Sequence, residues 1–280
     1  MVAMHTLAGH VVRGLSIGGL ETCIDLPGLK LAFDIGRAPD FAVARETILF
    51  THAHMDHMGG VAWHCATRSL RRMAPPTYLV PRENVEGFEA LFDAWRRLDR
   101  SDLEHVTVAL GPGDEHALAN QRIVRPFRSP HRVACQGYGI WSRKSKLKPE
   151  YAGLAAGEVR RRRLELAEEL TETVETAEVA FTGDTLIEVV EREAVVRTAR
   201  LLIIEVTFVD DRVSVEQCRS KGHVHLDEVV ERADLFENEA LLFTHFSERY
   251  SNREIVEALD RRLPARLRER VTPLLDGRKG

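Results

Sequence analysis

The segment Thr51-His52-Ala53-His54-Met55-Asp56-His57 places three imidazoles and one carboxylate within six residues. Both are borderline-to-hard ligands suited to Zn²⁺, Mn²⁺ or Fe. The apolar run Thr47-Ile48-Leu49-Phe50 precedes them, and Gly59-Gly60 follows at the opening of a helical pattern. In an extended segment His52 and His54 point the same way, because side chains alternate with period two. Asp56 and His57 turn into the helix start, where they can face a second ion. Four such groups exceed the need of one ion and suit two side by side. A chance His-rich surface loop fits poorly between a buried strand and a Gly-Gly turn.

Three further ligand types occupy equivalent places. His131 follows a strand ending at Phe127, Asp184 follows Val179–Thr182, and His245 follows Leu241–Thr244. Each lies just past the C-terminal end of an apolar strand, where α/β sheets collect their ligands. His5, His10, His64, His105 and His116 lack that context. His223 and His225 both precede an amphipathic helix, and the residues alone do not choose between them.

The elements that must carry these groups read as follows. Strands are expected at 11–17, 22–26, 30–35, 47–51 and 78–80, then at 122–127, 137–142, 179–182, 201–206 and 240–244. Helices are expected over 56–73, 85–98 (Leu91, Trp95 and Leu98 on one face), 157–170, 226–237 and 253–262. Two β-rich halves, each with helices alternating late, suggest two packed sheets with helices outside, in one domain spanning 1–280.

The chain has 280 residues, 44% hydrophobic and 29% charged. That excludes a collagen, a disordered chain and a disulfide-stapled miniprotein. No apolar run of about 18 residues occurs, so no membrane span is expected, and the first residues do not read as a signal peptide. Cys23, Cys65, Cys135 and Cys218 form no CxxC and read as reduced thiols of a cytoplasmic protein. The net charge of −4 gives no support for nucleic-acid binding. Residues 143–163 differ: Arg143, Lys144, Lys146, Lys148, Arg160, Arg161, Arg162 and Arg163 stand against only Glu150 and Glu158. Such a basic island could attract a polyanion, or be a solvated face.

The motifs resemble a known family. His52-x-His54-x-Asp56-His57 with its Gly-Gly is similar to the first metal motif of the metallo-β-lactamase fold. His131–Gly139, Phe181–Thr185, Glu205–Phe208, Gly222-His223 and Thr244-His245-Phe246-Ser247-Glu248-Arg249-Tyr250 together resemble ribonuclease Z, the tRNA 3′-processing endonuclease, in its short plant-like type. The similarity runs from about Ala32 to Leu274. It implies an α/β fold, an αββα sandwich of two mixed β-sheets with outer helices. It implies two Zn²⁺ (Mn²⁺ or Fe being possible): His52, His54 and His131 on one, Asp56, His57 and His245 on the other, and Asp184 bridging. His223, rather than His225, matches the catalytic histidine, and Glu205 the carboxylate that orients it. Asp56 would also help to orient the nucleophile.

The implied reaction is endonucleolytic removal of the 3′ trailer from precursor tRNA. The alternative is hydrolysis of a small phosphodiester, such as a cyclic nucleotide, on the same site. A homodimer is expected, since family members pair so that one subunit's arm serves the other's site. The arm that grips tRNA should lie between His131 and Asp184. Here it is expected to be mostly missing, with the basic island in its place and available to RNA phosphates.

Overall fold

Backbone polar groups need partners and apolar faces need cover, and two stacked sheets under helices satisfy both. In a computed structural model, which describes residues 2–165 and 169–278, the first sheet runs β1 (His5–Leu7), β2 (His10–Gly18), β3 (Glu21–Leu26), β4 (Leu31–Phe33), β5 (Thr47–Leu49), β6 (Thr77–Pro81) and β7 (Val106–Leu110) in sequential order. The second comprises β8 (His116–Leu118), β9 (Arg122–Arg128), β10 (Gln136–Leu147), β11 (Thr171–Phe181), β12 (Leu201–Glu205), β13 (Ala240–Thr244) and β15 (Val271–Pro273), ordered β15-β13-β12-β11-β10-β9-β8. The short β14 (Phe246–Ser247) crosses back to pair with β2 in the first sheet. Both sheets mix parallel and antiparallel pairs, for example β5 with β6 and β2 with β3.

Three apolar layers follow. Phe33, Leu49 and Leu79 of the first sheet meet Tyr138, Phe181 and Ile203 of the second. Phe50, Tyr78, Phe88 and Phe92 fill the space under the helices covering the first sheet. Leu202, Ile204, Leu241 and Phe243 face those covering the second. The expected αββα sandwich is thus observed. The sheets are also stitched near their strand ends: Gln136 N–H donates to the Thr51 carbonyl (3.0 Å) and the Tyr138 hydroxyl to the Phe50 carbonyl (2.7 Å). No helix among the described residues is long and apolar enough to cross a membrane.

Several expected boundaries move. The expected helix at 56–73 is two helices, Met55–Met58 and Val61–Leu70, broken at Gly59-Gly60. The helix expected at 157–170 is Ala156–Glu165, its later part lying partly outside the described residues. In the helix Val85–Asp99, Phe88 and Phe92 face inward, while Leu91, Trp95 and Leu98 form an exposed face.

The largest difference is at the arm. β10 and β11 run beyond their neighbours as an antiparallel ribbon, in register from Arg143↔Glu175 to Leu147↔Thr171. At about 3.4 Å per residue, five residues per strand extend it by about 17 Å. Pro149–Tyr151 and Ala156–Glu165 follow at its tip. Between His131 and Asp184, where almost no projection was expected, the chain therefore carries a short ribbon. Thr171-Glu172-Thr173-Val174-Glu175-Thr176 holds four β-branched residues and two acidic ones, a strand signal masked by its charge. The basic island is also less free than its composition suggests. Arg143 pairs with Glu115 and Glu175, and Arg161 and Arg162 with Glu158.

Beneath Val61–Leu70, His64 is fully buried. Its Nδ1 accepts from the Tyr78 hydroxyl (2.9 Å) and its Nε2 donates to the Ala42 carbonyl (3.3 Å). Burial, and then the Arg68 guanidinium, pull its pKa from 6.5 down to about 4. The unfolded imidazole takes up its proton at higher pH. His64 therefore confers its stability fully above about pH 6.5 and loses it as pH falls toward 4. Urea unfolding should find the stability gap between wild type and His64→Gln about 2 kcal/mol smaller at pH 5 than at pH 7. An unchanged gap would refute this account.

Candidate metal centre

The strand ends deliver the chemistry. β5 stops at Leu49, and the chain passes extended through His54 (φ −63°, ψ 150°) into Met55–Met58, so one short segment supplies His52, His54, Asp56 and His57. His131 follows β9, Asp184 follows β11, Glu205 closes β12 and His245 follows β13. Close backbone approach is built in: a Cβ at Gly36 would lie 2.1 Å from the Asp56 carbonyl oxygen. At Gly222 (φ +82°) a Cβ would lie 2.7 Å from His131 Nδ1. Asp34 (φ 54°) and His245 (φ 60°) are non-glycine residues in the left-handed region, at a cost of about 1–3 kcal/mol each that surrounding bonds must offset.

The side chains meet in overlapping groups. His52, His54, His131 and Asp184 form one, Asp56, His57 and His245 a second, and Asp184, His223 and His245 a third; within each, one ligand atom per residue lies within 4.8 Å of the others. Asp184 lies between them. Its Oδ2 is 3.8 Å from His52 Nε2, while its Oδ1 is 3.3 Å from His57 Nε2 and 3.4 Å from His245 Nε2. Asp56 Oδ2 is 3.6 Å from His57 Nε2 and 3.4 Å from His245 Nε2. The Nε2 atoms of His57 and His131 are buried without a hydrogen-bond partner. Buried polar atoms are rarely left so, and imidazole nitrogens with carboxylate oxygens fit a metal ion.

Most rings are held from behind. His57 Nδ1 donates to Asp34 Oδ2 (2.8 Å) and His131 Nδ1 to the Gly222 carbonyl (2.8 Å). Thr51 Oγ1 donates to Asp34 Oδ2 (2.8 Å) and so accepts from His52 Nδ1 (3.0 Å). Thr207 Oγ1 donates to Glu205 Oε2 (2.6 Å) and accepts from His245 Nδ1 (3.0 Å). Each bond fixes a tautomer and aims Nε2 into the site. His54 alone presents Nδ1, 2.9 Å from His52 Nε2.

Glu205 is the second hub. Its Oε1 accepts from Thr185 N (3.1 Å) and His223 Nδ1 (2.9 Å), its Oε2 from Thr207 N (3.2 Å) and Thr207 Oγ1. Burial works against protonating His223, but the adjacent Glu205 outweighs it and lifts the pKa to about 9. Burial works against ionising Asp184 too, yet His245, His57 and His52 hold its carboxyl well below the usual range. His52 is pushed well down by burial and then by His57. His225, by contrast, is structural: its Nδ1 accepts from Asp227 N (3.1 Å) to cap the helix Leu226–Glu231, and its Nε2 meets the Asp210 carbonyl (3.2 Å).

The seven expected ligands thus converge, with His223 and Glu205 beside them. The eight basic residues stand apart: Arg143, Lys144 and Lys146 on the ribbon, Lys148 just past its end, and Arg160 to Arg163 on the helix near its tip. Sequence reasoning missed Asp34, Thr51 and Thr207. Asp34 carried the signal that marked Asp184, a carboxylate just after an apolar strand; the two threonines carried none.

Comparison with known proteins adds the lineage. The model of the beta-lactamase superfamily domain matches residues 35–246. The chain is 44% identical over 273 residues to tRNase Z TRZ1 of Arabidopsis thaliana, covering 97% of each. Among solved structures, the metallo-beta-lactamase fold protein YhfI from Bacillus subtilis superposes with a TM-score of 0.62 at 15% identity, covering 94% of this chain and 95% of that one. The short form of human tRNase Z superposes at 0.54 with 20% identity, covering 86% and 87%. At such identities the two structures speak for the fold.

Because Asp34 fixes His57 and, through Thr51, His52, Asp34→Asn should weaken metal binding about 10–100-fold. Competition titration with a chromogenic chelator measures this, alongside a melt to confirm folding. Wild-type affinity in the folded variant would remove Asp34 from the account.

Proposed function

This chain belongs to the tRNase Z family of the β-lactamase superfamily, and we propose that it is a metal-dependent phosphodiesterase that removes the 3′ trailer from precursor tRNA. The observation that carries this reading is the placement of His223. Its ring is tied to Glu205 and lies 3.9 Å from Asp184 Oδ2, beside the ligand cluster.

In this reading His52, His54 and His131 would hold one Zn²⁺, Asp56, His57 and His245 the other, and Asp184 would contact both; Mn²⁺ or Fe suits the same donors. Such ions supply Lewis-acid activation of water and neutralise phosphate charge. The chain does the rest. Its anchored rings keep the donors in place. His223, held by Glu205 through Nδ1, turns its other nitrogen to the leaving 3′-oxygen or to a non-bridging oxygen, giving or sharing a proton there. Asp56 orients the attacking water from the site's rim. Products would carry a 3′-hydroxyl and a 5′-phosphate.

Arg143, Lys144 and Lys146 on the ribbon, with Lys148 and Arg160 to Arg163 near its tip, would meet RNA backbone phosphates. We also read the protein as a cytoplasmic homodimer. Trp63 (67% exposed), Leu91, Trp95 and Leu98 give the helices Val61–Leu70 and Val85–Asp99 a shared apolar face, with a groove of about 1010 Å³ running to Met55 beside the ligand segment. An aromatic face of that kind suits a second copy better than water.

Purified enzyme should release the trailer from precursor tRNA and also hydrolyse bis(p-nitrophenyl) phosphate. His54→Ala should abolish both and lower bound metal. His223→Ala should keep its metal and lose about 10²–10⁴ in kcat. Hydrolysis of the ester with intact precursor tRNA would overturn the assignment. For the dimer, sedimentation should give twice the chain mass for wild type and the chain mass for Trp63→Glu/Trp95→Glu; a monomeric wild type would refute it.

A further inference from the structure

We infer that the cleft on the far side of His131 seats a second phosphate of the substrate chain, next to the scissile one. This rests on the reading above and narrows its substrate to an oligonucleotide. The cleft holds about 570 Å³ and is lined by His131 and Cys135 together with Arg82, Arg128 and Arg192. The three guanidinium groups come from separate places. Arg82 follows β6, Arg128 ends β9, and Arg192 ends the helix Glu188–Arg192. They are far apart in sequence and share one cavity, whereas the run at 160–163 is contiguous on a single helix.

Their pairing is informative. Arg82 is held by Asp114. The side chains of Arg128 and Arg192 are exposed and make no hydrogen bond or ion pair with any described residue, the carboxylate of Glu188 only feeling the Arg192 charge from beyond contact. Arg125, on the same strand as Arg128, instead bonds Glu115 and Glu175. One carboxylate, Glu83, lines the cleft against three guanidiniums. Unpaired guanidinium forks in a concave, net-positive site match phosphate oxygens, which they bind in bidentate fashion.

The cleft also shares a wall with the metal centre. His131 belongs to the ligand cluster through Nε2 and borders the cleft. The cluster takes the scissile phosphate, so an anion in the cleft is a different phosphate of the same molecule. A cyclic nucleotide or a simple phosphodiester has only one to offer. An RNA strand carries the next phosphate one nucleotide away.

The test compares wild type with Arg128→Ala/Arg192→Ala on precursor tRNA and on bis(p-nitrophenyl) phosphate across a range of salt concentrations. On precursor tRNA we expect KM to rise about ten-fold or more, and the slope of log(kcat/KM) against log[salt] to flatten by about one to two. Turnover of the single-phosphate ester should match wild type, which also verifies folding. Unchanged KM and salt slope on precursor tRNA would overturn the inference while leaving the proposed function standing. An equal fall on the ester would overturn it as well, by making the arginines structural. A wild type that never cuts RNA would sink both readings together.

Discussion

A buried carboxylate surrounded by imidazoles sets the terms for this protein. Asp184 is almost wholly removed from water, with ring nitrogens of His52, His57, His223 and His245 between 3.3 and 3.9 Å away. An unpaired carboxylate in that position would be expensive. It persists because positive or metal-binding groups surround it, and those groups can stay only if each is fixed at its other end. Asp34, Thr51, Thr207 and the Gly222 carbonyl provide the fixing.

That requirement propagates into the fold. Asp34, Thr51 and Thr207 follow the C-terminal ends of strands in both sheets, and Gly222 follows the helix Val215–Ser220, so the stacked sheets must bring those strand ends to one rim. The bonds from Gln136 to Thr51 and from Tyr138 to Phe50 hold them there. Two of the left-handed non-glycine residues, Asp34 and His245, lie at the same rim, and glycines sit where ligand segments touch. His245 N–H finds Ser16 Oγ at 3.0 Å, and β14 pairs with β2 immediately after it. The strained residue is thereby held from both sides.

Around this rigid centre the surface divides by chemistry. An apolar face covers the helices beside the ligand segment, a charged ribbon leaves the second sheet, and a small basic cleft opens next to His131. On the ribbon Arg143 is matched by Glu175 across the strands, whereas two of the cleft's three guanidiniums, those of Arg128 and Arg192, form no ion pair with a described residue. Local composition ranked these the other way round, because it counts charges without their neighbours.

Much of the site was legible in the chain. A segment as dense as His52 to His57 has few uses other than metal binding, and ligand types after apolar strands are expected where sheets end, so the seven side chains that converge here could be picked out from pattern alone. The sandwich followed from the same alternation of strands and helices. What needed the folded chain was everything decided by contacts distant in sequence. Thr51 and Thr207 look ordinary until they are seen behind His52 and His245. His225 and His223, alike in sequence context, part in their partners: a helix cap for the first, Glu205 for the second. The β10–β11 ribbon was hidden because cross-strand pairing, not hydrophobicity, stabilises it. Three arginines from positions 82, 128 and 192 form a site only because separate elements converge. Periodicity and residue type are properties of neighbours along the chain, while partnering, burial and charge compensation are properties of neighbours in space.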